Sequence, residues 1–275
     1  MGNLTKKGYV IRAFQFYLKH FSLPRTHLML TAFPKSGSTY LQSILKNLPS
    51  MNAVALSLGT DRREHELCNE KLILYHNKNY VSGNHTRYSS ITQNLIDTYS
   101  LYPIVLVRNI FDVVVSLYDH CILESPIIPM AYVPDDFAQW DKAKALSFVT
   151  DMIIPWYFNF YGTWSLCQKK LFLTYNDVTK DTFSTITKIV KYSKMNFSPK
   201  EIDFAIKKAL TGFTRKNVGI SGRGNTLPEE LKERIRRMAS YYPNLDFSPL
   251  GINSTEFTRK YVGISGSDVA LTEEL

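Results

Sequence analysis

The sequence predicts one α/β domain built on a mostly parallel sheet with helices on both faces. Three observations predict it. Short apolar runs of strand character alternate with amphipathic helical segments along the chain. One run, Tyr102 to Val107, is almost unbroken in its apolar character and ends at Arg108, as in a parallel strand covered on both faces. The stretch from Leu28 to Leu41 passes from a buried-strand pattern through a tight polar loop into a helix, whose apolar residues Tyr40, Leu41, Ile44, Leu45 and Leu48 share one face.

Length and composition bound the function. The 275 residues hold a sizeable core, and with 44% hydrophobic and 21% charged residues the balance is that of an ordinary globular protein. A formal charge of +9 favours anionic ligands. The basic residues are dispersed and accompany no nucleic-acid-binding signature, so nucleic acid is not expected as a partner. Cys68, Cys121 and Cys167 form no C-x-x-C pair and are odd in number, which points to a reducing, cytoplasmic compartment rather than to disulfides or zinc. No apolar run is long enough to span a membrane, and the first residues lack a signal-peptide pattern. Met1 to Leu23 contains an aromatic, partly basic segment expected to form a helix docked on the domain. The sequence leaves a homo-oligomer open.

The loop of the opening stretch is Pro34-Lys35-Ser36-Gly37-Ser38-Thr39-Tyr40. It sits at a helix N-terminus, where unpaired N–H groups and the helix dipole favour an anion. Lys35 adds a full charge and Gly37 lets the backbone come close, so the loop reads as a phosphate cradle. The G-x-x-x-x-G-K-[S/T] spacing of a standard P-loop is absent, because the lysine precedes the glycine. The loop closely resembles the P-K-S-G-T-T-W loop of sulfotransferases that use 3′-phosphoadenosine 5′-phosphosulfate (PAPS, leaving PAP as product). The resemblance implies a P-loop-like sheet, and it implies that Lys35, Ser36, Gly37, Ser38, Thr39 and Tyr40 hold the 5′-phosphosulfate end.

The later elements follow in the same register. Asn52 to Leu58 reads as a short strand, and Asp61 to Glu70 as a charged, solvated stretch without evident chemistry. Tyr80 to His85 reads as a strand ending in a histidine. The family strand here ends in K-T-H, whose histidine takes the acceptor proton. The resemblance therefore makes His85 the catalytic base, with Lys35 as its catalytic partner, although Gly83 and Asn84 replace the lysine and threonine. Tyr88 to Tyr99 is expected to be helical, then Tyr102 to Arg108 a strand and Asn109 to His120 a helix with Phe111, Val114, Val115 and Tyr118 on one face. Ser116 lies eight residues after Arg108, and the family's R-(x)7-S element implies that both hold the 3′-phosphate, an arginine chelating it and a serine donating a further hydrogen bond.

Ser125 to Asp136, with three prolines among apolar residues, reads as a long loop over the acceptor pocket. Asp141 to Leu166 is expected to be helical with a break at Pro155, and Leu171 to Tyr175 to be a strand. Tyr175-Asn176-Asp177 resembles the family's Y-E-D element, which implies that Tyr175 lies near the adenine. Two amphipathic helices follow, Thr182 to Tyr192 and Pro199 to Leu210. Phe213 to Gly224 resembles the R-K-G-x-x-G loop that folds over the 3′-phosphate, implying Arg215, Lys216 and Asn217 as further cofactor residues. Pro228 to Met238 is expected to be a basic helix.

The resemblance covers roughly residues 25 to 252, so residues 1–252 are expected to form the sulfotransferase domain. Residues 253–275 form a tail in which Phe257 to Leu275 repeats Phe213 to Leu231 at 13 of 19 positions. The implied activity is in-line transfer of a sulfuryl group from PAPS to a hydroxyl or amine of a small-molecule or saccharide acceptor, without a metal. The rivals are a nucleotide or small-molecule kinase, which lacks an acidic residue after Val107 to bind magnesium, and a non-catalytic nucleotide-binding relative, suggested by Gly83. His120 is the competing base; His20, His27, His65 and His76 lie in no motif.

Overall fold

The computed structural model describes Tyr17 and residues 25–59, 64–211 and 221–253. The expected N-terminal helix, Arg215, Lys216 and Asn217, and the tail from residue 254 onward lie outside the described residues. Five strands, β1 (His27–Ala32), β2 (Asn52–Val54), β3 (Tyr80–Asn84), β4 (Leu101–Val107) and β5 (Leu171–Thr174), form one sheet in the order β2-β3-β1-β4-β5. Every pairing is parallel, with Leu30 opposite Gly83 on one side and Ile104 on the other.

The central strands are apolar because both faces are covered. Leu28 and Leu30 of β1 and Ile104 and Leu106 of β4 face one core. That core is closed by α1 (Ser38–Lys46), α8 (Thr182–Tyr192) and α9 (Pro199–Thr211). Met29, Val105 and Val107 alternate to the other face, where they meet α4 (Ile110–Leu123) and α6 (Ile154–Ser165). The remaining helices are α2 (Asn69–Tyr75), α3 (Ser90–Tyr99), α5 (Lys142–Phe148), α7 (Tyr175–Lys180) and α10 (Glu229–Ser240). Among the described residues no helix is long and apolar enough to cross a membrane.

Several expectations change in detail. The strand expected over Asn52–Leu58 stops at Val54. In α4, Val115 and Tyr118 are only partly buried, while Val113, Leu117 and Cys121 join Val114 inside. The helix is covered by the sheet on one side and by the turn at Arg223–Thr226 on another, so its buried surface is wider than one stripe. The expected helix over residues 141–166 is α5, a π-turn at Val149–Ile153, and α6 with Pro155 in its first turn. Proline lacks an N–H and its ring crowds the carbonyl four residues earlier, which the wider turn relieves. Tyr175 is not the last residue of β5 but the first of α7, because Thr174 and Asp177 form a reciprocal capping box.

Since β3 and β4 flank β1 on opposite sides, the chain reverses direction across the sheet at β1. In open parallel sheets the crevice beyond the carboxyl ends of such strands is where ligands bind. The loop after β1, His85 after β3, Arg108 after β4 and Tyr175 after β5 all lie at that edge.

Candidate active site

The cradle owes its shape to two left-handed residues, Lys35 at φ 68° and Gly37 at φ 84°. Gly37 takes this conformation at little cost, whereas Lys35 stores strain. Gly37 is also the N-cap of α1 and, having no side chain, supplies no side-chain cap to that helix end. A Cβ at Gly37 would lie 3.2 Å from the Tyr175 ring. The Ser36 hydroxyl is buried and donates to the Phe33 carbonyl at 2.6 Å, so it holds the turn rather than facing outward. Ser38, Thr39 and Tyr40 open α1, with Thr39 exposed.

Arg108 sits against this loop. Its guanidinium donates to the Lys35 carbonyl at 2.9 Å, stacks over the Tyr175 ring at 4.3 Å and lies 3.8 Å from the Asp112 carboxylate. Burial lowers the Arg108 pKa, against the opposing pull of Tyr175 and Asp112. The same burial raises the Tyr175 phenol, with Arg108 pulling it down. Asp112 accepts from the backbone N–H of Gly222 at 3.0 Å and of Gly224 at 2.7 Å. Arg223 pairs with Asp119, and Ser221 donates to Asn176 at 3.1 Å. One carboxylate thus joins Arg108 to the end of the glycine-rich loop. Ser116, buried, lies one helical turn beyond Asp112 on α4.

The Lys35 ammonium reaches the C-terminal end of α4. It lies 3.4 Å from Glu124 and 3.4 Å from His120 Nδ1, and His120 Nδ1 lies 2.9 Å from Glu124. Burial would raise the Glu124 carboxyl, but the Lys35 and His120 charges and hydrogen bonds outweigh it and lower its pKa. Beside them the Cys121 thiol is pushed up to about 11 by burial, against Lys35.

His85 lies just past β3. Its Nδ1 is 2.7 Å from the Ala32 carbonyl, which can only accept, so Nδ1 carries the proton and Nε2 keeps its lone pair. Burial, aided by the neighbouring His65 and opposed by the Ala32 bond, pushes its pKa down to about 4. The ring is therefore neutral at pH 7. At Gly83, where the family pattern has lysine, a Cβ would stand 2.7 Å from Gln42 Oε1, so the Gln42 carboxamide lies over the bare strand.

Sequence reasoning missed Asp112, Glu124, Glu64 and His65. The stretch from Asp61 to Glu70 was expected to be solvated and without chemistry. Instead Glu64 accepts from Arg87 and from Trp156, and His65 accepts the His85 backbone N–H. At the opposite edge of the sheet His27 stacks on Tyr80 and His76 meets Tyr99 edge-on, and burial lowers both histidine pKa values.

Residues 25–218 match the family described as the sulfotransferase domain. Among solved structures, mouse sulfotransferase SULT7A1 complexed with PAP has a TM-score of 0.63 at 15% identity, covering 88% of this chain and 93% of that one. Retinol dehydratase in complex with androsterone and inactive cofactor PAP has a TM-score of 0.51 at 14% identity, covering 88% and 91%. At such identities the likeness is one of fold. No curated protein matches the sequence closely enough to report.

Gly224 sits close against α4: a Cβ there would be 2.4 Å from Phe111 Cβ and 2.8 Å from the Asp112 nitrogen. Gly224→Ala is expected to cost about 1–3 kcal/mol through overpacking, read as a fall in the denaturation midpoint. The Gly222 amide should then exchange faster with solvent as its seat on Asp112 opens. Parent-like exchange and stability would show that the contact yields freely.

Proposed function

The chain belongs to the sulfotransferase-domain family, and on that premise we propose that it transfers a sulfuryl group from PAPS to a hydroxyl or amine of a small-molecule or saccharide acceptor in the cytoplasm. The observation that carries this reading is the meeting of Lys35, the uncapped start of α1, Arg108 and Tyr175 at the end of the central strands. These residues fit an adenine nucleotide with phosphate at both ends: bare backbone at Gly37, two cations and an aromatic face. When bound, PAPS supplies a sulfuryl group activated by a phosphate leaving group.

The chain's residues would then divide the work. Lys35 and the first amides of α1 meet the negative charge that builds on the leaving oxygen. The remaining orders of cofactor contact follow the motifs, with Ser38, Thr39 and Tyr40 at the phosphosulfate end and Arg108, Ser116, Arg215, Lys216 and Asn217 toward the 3′-phosphate. His85 takes the acceptor proton through Nε2, which its bond to Ala32 leaves available. A second reading of the base has its own support, since His120 is oriented by Glu124 and lies beside Lys35.

Of the two loop copies, the first is the better working loop. Its seat uses Ser221, Gly222, Arg223 and Gly224, and the second copy carries Ser267 and Asp268 where the first has Arg223 and Gly224. Asp268 would bring a side chain into a space too small for one and a carboxylate against Asp112.

Three measurements test this function. Arg108→Ala should weaken binding of PAP by roughly tenfold to a hundredfold, the value of a charge-assisted hydrogen bond, while leaving 5′-AMP affinity nearly unchanged. Equal losses for both nucleotides would make Arg108 a strut of the fold alone.

Removing residues 253–275 should leave PAP affinity and thermal midpoint at parent values; loss of binding would give the tail a working role.

His85→Ala should lower kcat/KM by about a hundred- to ten-thousandfold with PAP affinity held within a few-fold. With an alcohol acceptor the parent rate should stay level from neutral pH to about 5 and decline as His85 protonates near 4. A parent-like rate in His85→Ala, with loss in His120→Ala, would move the base to His120.

A further inference from the structure

We propose that His65 is the positioning residue for the base, His85, fixing its ring and opposing its protonation. The inference rests on the reading of His85 as base. Two contacts carry it: the His85 backbone N–H donates to His65 Nδ1 at 3.1 Å, and the two rings stack with centroids 5.1 Å apart at 27°. Because Nδ1 accepts, His65 carries its proton on Nε2 and is neutral. An imidazolium has donors at both nitrogens, so protonating His65 would break the bond that it makes to His85. Two imidazoles at this separation also resist being charged together.

His65 is held in place by its neighbour. Glu64 accepts from Arg87 Nε at 2.9 Å and Nη2 at 2.6 Å, and its other oxygen accepts from Trp156 Nε1 at 2.8 Å. Trp156 is buried against Tyr157 and Phe160, with ring centroids 5.3 Å away in both cases. Residues 64 and 65 thus staple the chain at Arg87 and His85, on either side of Thr86. The Thr86 carbonyl is itself gripped by the Thr31 hydroxyl and the Trp164 indole, both at 2.9 Å. Among the described residues the groups against the His85 ring are the Ala32 carbonyl from β1 and His65 from this segment, and the Glu64 carboxylate is paired with Arg87.

The ring of a base can be followed without knowing the acceptor. In the ¹⁵N-labelled full chain, histidine ring NMR across pH should show His85 as the neutral Nδ1–H tautomer from pH 8 to about 5, titrating near 4. His65→Gln keeps an acceptor for the backbone N–H but carries no titrating ring. It should hold the tautomer while the His85 midpoint rises by about one unit. His65→Ala should raise the midpoint and also mix the tautomers. With an acceptor in hand, its turnover at neutral pH should fall by about tenfold, the loss expected of one orienting hydrogen bond, with PAP affinity unchanged and most of the rate restored in His65→Gln.

An unchanged His85 midpoint in His65→Gln at parent-like thermal stability overturns the proposal, as does a parent His85 that titrates in the ordinary range of 6 to 7. If His65→Ala does not fold, the glutamine variant and the parent titration decide alone. Failure of the underlying reading looks different: His85→Ala would then keep parent turnover, whatever the titration shows.

Discussion

The buried guanidinium of Arg108 constrains the rest of the site. A full charge this far from water needs partners, and those named come from three separate elements. The Lys35 carbonyl binds it from the loop after β1, Tyr175 from the start of α7, and Asp112 from α4, while Arg108 itself follows β4. Because those partners are fixed by one rigid, planar group, the left-handed turn at Lys35 is held from below. Asp112 carries the constraint onward, since its two oxygens take the Gly222 and Gly224 amides. Arg108 thus touches the cradle directly and, through Asp112, the end of the glycine-rich loop.

The same arrangement explains why an acidic residue is tolerated beside an anion cradle. Glu124 follows the last residue of α4, where the helix dipole disfavours negative charge. It is retained there by two cationic or potentially cationic neighbours, Lys35 and His120. A carboxylate at this place lowers the positive potential that an incoming polyanion would feel. It also gives the Lys35 ammonium a defined position, and a lysine tethered at its end loses less side-chain freedom when a ligand arrives than one free in water.

How much of this was legible depends on how local each feature is. The strand-loop-helix at residues 28–48 is visible because its apolar periods and its loop residues are contiguous. Arg108 and Tyr175 are visible because each follows a strand and stands in a pattern with the cradle. Asp112 is not, since its carboxylate is satisfied by amides 110 and 112 residues away. Glu64 and His65 sit in a polar stretch that has the composition of a solvated loop, and their partners lie 20, 23 and 92 residues on. The break near Pro155 was readable from the ring's sterics, but its resolution into a π-turn depends on tertiary packing. The buried face of α4 was misread for the same reason: a stripe can be read from periodicity, while a helix covered on several sides shows none.

His85 and Lys35 have different surroundings, burial and a second imidazole around the one and a carboxylate beside the other. Burial lowers the pKa of both His85 and His65, with His65 adding to the effect on His85, and a carbonyl fixes the His85 tautomer. The Lys35 ammonium instead has the Glu124 carboxylate at 3.4 Å. The backbone of Ala32 to Lys35 is bonded to His85 at one end and to Arg108 at the other. One short segment of main chain thus sets the tautomer of His85 at one end and the seat of Arg108 at the other.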